Sequence, residues 1–142
     1  MIYDIFGTFS AAQAPTTGTT VSTNVIDTGV AGRSIGSGEP VELVVQVATT
    51  CTSGGANTTQ FVLQDSADNS SFANVVLSDP IPVATLVAGY EPLRIKLPSG
   101  LRRYVRVAYV IATANLTAGA FNAFLAHDRQ EAPAYASGFA VS

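Results

Sequence analysis

The sequence has no tryptophan, one methionine, one histidine and one cysteine. It also has few charges of either sign. Each shortage excludes something. A lone Cys51 forms no intrachain disulfide, and no cysteine-rich metal site is available. The single histidine, His127, sits beside Asp128, but no Gly-x-Ser-x-Gly turn accompanies it, so a nucleophile–base–acid triad is not expected. Charged residues make up 12% of the chain, about half the usual share of ~25%. The net charge is −3, which argues against a general nucleic-acid or anionic-membrane binder. No window approaches the ~20 apolar residues of a membrane span. The opening MIYDIFGTFS lacks the basic start and long apolar run of a secretory signal, so none is expected.

Serine, threonine, asparagine and glycine supply the polarity instead. Such a surface repels neighbours weakly and is covered with little desolvation of charge. That suits a protein packed into an assembly; it equally describes a neutral, threonine-rich β protein. The 142 residues fit one domain, residues 1–142, and suffice for a proper core. Three Asn-x-Ser/Thr sequons, at Asn57, Asn69 and Asn115, mark threonine-rich loops.

The strongest structural signal lies in residues 102–128, read as two long strands joined across residues 113–118. In the first, Arg103, Val105, Val107, Tyr109 and Ile111 share one face, since side chains alternate along a strand. Four of the five are large and apolar, so this face points inward. The other face carries Tyr104, Arg106, Ala108, Val110 and Ala112. The second strand is ambiguous: Phe121, Phe124 and Leu125 also fit helix spacing, whereas Gly119 opposes a helix interior. Strand is the preferred reading.

Upstream, residues 1–10 alternate loosely and carry Ile2, Tyr3, Ile5, Phe6 and Phe9, either as a first strand or as an arm docking on a partner. Residues 11–23 read as an extended linker broken by Pro15 and Gly18. Residues 24–40 hold four glycines around Arg33. A phosphate cradle needs a helix to follow, and Gly36-Ser37-Gly38 leads into strand residues, so a folded loop is expected, with Arg33 capping carbonyls or reaching a partner. Strands follow at residues 41–49, 59–65, 72–77, 81–87 and 93–97, the last with Leu93, Ile95 and Leu97 alternating with Arg94 and Lys96. Residues 129–142 read as a tail. Seven or eight antiparallel strands with turns between them predict an all-β fold, a β-sandwich or a jelly roll.

Two weaker constellations invite a chemical reading. Asp65, Asp68 and Asn69 resemble half a calcium loop but lack the closing glutamate. Cys51 with His127 as a thiol dyad has nothing nearby in sequence to lower the thiol pKa. No catalytic residue, cofactor or metal site is expected. The basic cluster is more informative: Arg94, Lys96, Arg102, Arg103 and Arg106 are five of seven basic residues. Paired strands would gather them into one face, which either meets a partner's carboxylates or is simply solvated.

The stretch Ile26-Asp27-x-Gly29-x-Ala31-Gly32-Arg33-x-Ile35-Gly36-x-Gly38-Glu39-Pro40 resembles the early loop of small capsid cement (decoration) proteins of tailed bacteriophages. So do Arg103-Tyr104, a strand, then Leu116-Thr117-Ala118-Gly119 and Phe124-Leu125, and the opening Met1-Ile2-x-Asp4. The likeness runs over residues 2–128. It implies a jelly-roll-like sandwich on the outer face of the virion's head, clamping neighbouring subunits of the major capsid protein. It also implies a small homo-oligomer, a dimer ahead of a trimer, and no catalytic residues. The partner-binding residues this suggests are Ile2, Tyr3, Phe6, Phe9, Arg33, Arg94, Arg102, Arg103, Tyr104 and Arg106. The alternative is a carbohydrate-binding β-sandwich, with tyrosine and phenylalanine stacking on sugars but no tryptophan to help.

Overall fold

A computed structural model describes residues 7–29 and 41–127. Ten strands form two antiparallel sheets. They are β1 (Thr8–Gln13), β2 (Gly18–Val21), β3 (Ile26–Asp27), β4 (Val41–Ser53), β5 (Thr58–Ser66), β6 (Ala73–Leu77), β7 (Ile81–Pro82), β8 (Leu93–Lys96), β9 (Tyr104–Ala112) and β10 (Leu116–His127). A four-stranded sheet has the order β1-β10-β4-β8, and a six-stranded sheet has the order β2-β9-β5-β6, with β3 pairing β9 and β7 pairing β5. The chain passes repeatedly from one sheet to the other, so sequence neighbours are seldom sheet neighbours. This is the all-β, jelly-roll-like sandwich expected, with ten strands among the described residues against the seven or eight anticipated, from 2 residues in β3 and β7 to 13 in β4.

The inward faces follow the alternation in the sequence. Val105, Val107, Tyr109 and Ile111 on β9 are all buried, as are Leu43, Val45 and Val47 on β4 and Phe61 and Leu63 on β5. At the centre, three rings bridge the sheets. Phe61 meets Tyr109 edge-on at 5.8 Å and Phe121 edge-on at 5.1 Å, while Tyr109 and Phe121 stack at 5.4 Å. Such ring pairs add to the apolar burial already made. The Tyr109 hydroxyl finds no hydrogen bond in this core. Ser10 lies near it, but the Ser10 hydroxyl donates to Gln13 Oε1 at 2.6 Å. Burial pushes the phenol pKa up to about 12, with the nearby Ser10 acting the other way.

Several expectations need correction. β9 and β10 do not form a hairpin: β9 lies between β2 and β5, and β10 between β1 and β4, in the opposite sheet. The crossing is made by a three-residue turn in which Ala114 N–H donates to Ala112 C=O and Thr113 takes φ 73°. This is the rarer, strained form of that turn. β10 is a strand, as preferred. Residues 11–23 are not a linker, since they hold the end of β1 and all of β2. Threonine favours strand, and Ala12 (φ 49°) and Gly18 (φ 62°) turn the chain between the sheets.

β4 runs on through Thr50 to Ser53, beyond the predicted end. Residues 86–90 lie alongside and satisfy it: Cys51 N–H donates to Leu86 C=O at 2.9 Å, and Val47 N–H to Tyr90 C=O at 2.8 Å. Residues 83–87 are not strand but a 3-10 turn, Val83–Thr85, leading to buried Leu86. Gly119 leaves no room for a side chain against β4. Its φ is +136°, and a Cβ there would fall 2.5 Å from Cys51 Sγ and 3.0 Å from Cys51 Cα.

Candidate interaction surface

The basic cluster is dispersed by the fold. β8 belongs to the four-stranded sheet and β9 to the six-stranded one. Arg94 is opposite Val44, an outward position, and Arg106 is opposite Gln64, outward on the other sheet. The two arginines therefore point from opposite sides of the sandwich, and the single basic face expected from paired strands does not exist.

Most of these cations have partners within the chain. Arg94 Nε donates to Glu42 Oε2 at 3.2 Å across the β4–β8 pair. Arg102 grips Asp65: its Nε and Nη2 donate to Oδ1 at 2.9 and 2.7 Å, its backbone N–H to Oδ2 at 2.9 Å, and Nη2 also to the Asp65 C=O at 2.7 Å. Burial opposes ionisation of Asp65, but the Arg102 side chain and backbone N–H outweigh it and hold the carboxyl below its usual range. Arg103 forms a two-point pair with Asp27, at 2.8 and 2.9 Å. That pair, helped by the Gly29 N–H, pulls the Asp27 pKa down to about 2. Arg103 was expected on the inward face, but β9 begins at Tyr104, and the guanidinium turns back over the Tyr104 ring, 5.0 Å from its centre.

Arg106 differs. Its Nε donates to Gln64 Oε1 at 2.8 Å, and its guanidinium carbon lies 3.8 Å from the centre of the Phe72 ring. Among the described residues no carboxylate meets it. Burial shifts its pKa down. Sequence reasoning missed Asp65, Gln64 and Phe72 as arginine partners, because they lie 34 to 42 residues away in sequence and carry no local signal.

Of the other residues expected to bind a partner, Phe9 is 0% exposed and belongs to the core. A partner reaches it only by opening the sandwich. Tyr104 is half-buried beneath Arg103. Ile2, Tyr3, Phe6 and Arg33 lie outside the described residues. The half calcium loop is already occupied by protein donors. Asp65 is held by Arg102, and Asp68 Oδ1 accepts from the Ser66 hydroxyl and the N–H groups of Ser70 and Ser71. The amides of Ser71 and Ser70 lead in lowering the Asp68 pKa to about 2.

Cys51 is buried, and burial pushes its thiol up to about 11. It lies near Ala118 and Ala120 in the β4–β10 pair, whereas His127 pairs with Val41 at the other end. Ten residues of strand separate them, roughly 33 Å, so they make no dyad. The sequon Asn57 is buried and donates to the Ala114 C=O. Among the described residues no group of three or more His, Cys, Asp or Glu is gathered to hold a metal ion, and no helix is long and apolar enough to cross a membrane.

These interactions define a two-sheet β-sandwich whose ion pairs tie strand ends together and whose outward faces carry little free charge. The chain belongs to the Bbp16 family, which matches residues 9–125, more than four fifths of its length and nearly the whole of both sheets. Family and fold together are compatible with a phage structural protein. No curated protein matches the chain.

Proposed function

We propose that this protein is a structural cement protein. It binds the outer surface of a phage head and clamps neighbouring major capsid subunits, acting as a small homo-oligomer, a dimer in preference to a trimer, without catalysis or cofactor. The observation that carries the reading is that one family, Bbp16, spans both sheets of a sandwich of the kind the cement resemblance implies. The physical chemistry supports it. Many modest, repeated contacts around a shell add by multivalency, and a face with few unpaired charges loses little when covered. The carbohydrate reading gains no support. The rings of Tyr104 and Phe72 carry guanidinium groups on a face a sugar would need.

The test is direct. Purified protein is mixed with expanded, undecorated heads of the phage that encodes it, and bound protein is measured by sedimentation and located by electron cryomicroscopy. Saturable binding at repeated lattice positions is the expected outcome. Absence of binding would overturn the proposal.

A further inference from the structure

The outward face of the six-stranded sheet carries two aligned rows. The first is apolar: Val21 on β2, Ala108 on β9, Val62 on β5 and Leu77 on β6 are direct cross-strand neighbours. Its centre is closed and its ends are open, with Val21 38% and Leu77 52% exposed. The adjacent row is polar: Arg106, Gln64 and Asn74. Gln64 accepts from Arg106 Nε at 2.8 Å, and Gln64 Nε2 donates to Asn74 Oδ1 at 2.8 Å. This relay, with Phe72 beneath, fixes the guanidinium in place. Its two Nη groups have no acceptor among the described residues. A preorganised arginine fork beside exposed aliphatic side chains is the composition of an interface hot spot.

We propose that this face docks a different protein, one that presents a carboxylate flanked by apolar side chains, with Arg106 receiving the carboxylate. The inference rests on the cement reading and names the surface that meets the shell. Charge complementarity selects this occupant. A second copy docked about a two-fold axis passing beside Arg106 would bring the two Arg106 cations together. Asp27, the acid paired in register with Tyr104 near Arg106, is already held by Arg103 and is not free for exchange. Nucleic acid asks for several phosphate contacts, and the polar row supplies one cation, beside an apolar row.

Arg106→Gln, Leu77→Asn and, on the opposite face, Lys96→Gln are compared with the unaltered chain. Readouts are binding to expanded, undecorated heads, binding to duplex DNA, melting temperature and sedimentation equilibrium. Arg106→Gln is expected to weaken head binding on the order of 100-fold and Leu77→Asn about 10-fold. Lys96→Gln should stay within about twofold, with oligomeric state unchanged throughout. Unaltered head binding by Arg106→Gln and Leu77→Asn overturns this surface and leaves the cement reading standing. No head binding by the unaltered chain overturns both. Loss of the oligomer together with head binding assigns the face to a second copy and overturns the inference. DNA binding abolished by Arg106→Gln, with head binding kept, overturns it also. Should Arg106→Gln fail to fold, Leu77→Asn decides alone, since that side chain is open to solvent.

Discussion

Replacing Gly119 by alanine tests the register on which the four-stranded sheet depends. Two penalties add. At φ +136° an L side chain is strained, by about 1–3 kcal/mol. The new Cβ also falls 2.5 Å from Cys51 Sγ, 3.0 Å from its Cα and 3.1 Å from its Cβ. The sulfur can swing aside, but the Cα belongs to the β4 backbone and moves only with the strand. Overpacking of this kind destabilises by about 1–3 kcal/mol. The expected loss is therefore about 2–6 kcal/mol, with strain and overlap contributing comparably. Urea denaturation followed by far-ultraviolet circular dichroism measures it, since the chain has no tryptophan to report on unfolding. Adding Cys51→Ala removes the sulfur overlap but neither the crowding against the β4 backbone nor the strain, so the double variant should recover about 1–2 kcal/mol relative to additivity. A loss below about 1 kcal/mol, with no coupling to Cys51, would mean that Gly119 does not pack against Cys51 of β4, and the pairing around residues 116–120 would be wrong.

Tyr109→Phe should leave stability unchanged or raise it by up to about 1 kcal/mol, because it removes a buried hydroxyl without a hydrogen bond; a loss of similar size in the same denaturation assay would show the hydroxyl to be bonded. Acid should destabilise the protein between about pH 4 and pH 2. The folded carboxyls of Asp27, Asp65 and Asp68 are all depressed, the first and last to about 2, so their stabilisation is present above the unfolded value of ~3.9 and is lost as pH falls through the folded values. Arg102→Ala leaves the 9%-exposed Asp65 without its cation and should lower stability at pH 7, by an amount moderated by solvent around the 42%-exposed Arg102 side chain. The deficit should shrink at pH 3, where the variant's Asp65 is protonated; a deficit independent of pH would refute the pairing.

The parts of this fold legible in the sequence are those set by short-range alternation. Val105, Val107, Tyr109 and Ile111 share a buried face because strand geometry requires it, and Leu93 with Leu97 does the same around β8. Which strands pair is another matter. β8 and β9 are separated by seven residues, yet they enter different sheets through the turn at Gly100, whose φ is 82°. Nothing periodic distinguishes such a crossing from a hairpin. The same turn defeats the arginine cluster, since sequence proximity implied a single basic face. Residues 11–23 misled for a different reason. Their low complexity suggested a linker, but short edge strands need only a few threonines and one paired neighbour. The candidate surface was half visible: Arg106 was one of the ten residues expected to meet a partner, whereas its exposed apolar companions Val21 and Leu77 come from two strands that only register brings together.

The ion pairs also explain why the arginines are unequal as anchors. Arg102 and Arg103 are consecutive, and they reach opposite ways at the start of β9: one to Asp65 on β5, the other to Asp27 on β3. Both acids flank Tyr104 in register or one step from it, so the two pairs fasten three strands at one end of the sheet. A partner carboxylate approaching Arg103 must displace Asp27 from a two-point pairing and leave that acid unpaired. It exchanges one ion pair for another, at a surface where each is worth little. A carboxylate approaching Arg106 displaces nothing of like charge. It adds bonds to a guanidinium whose position Gln64 and Phe72 have already set, so little further ordering is needed. On the proposed docking, binding free energy would therefore concentrate at Arg106, while Arg102 and Arg103 would act chiefly by holding the strand that presents it.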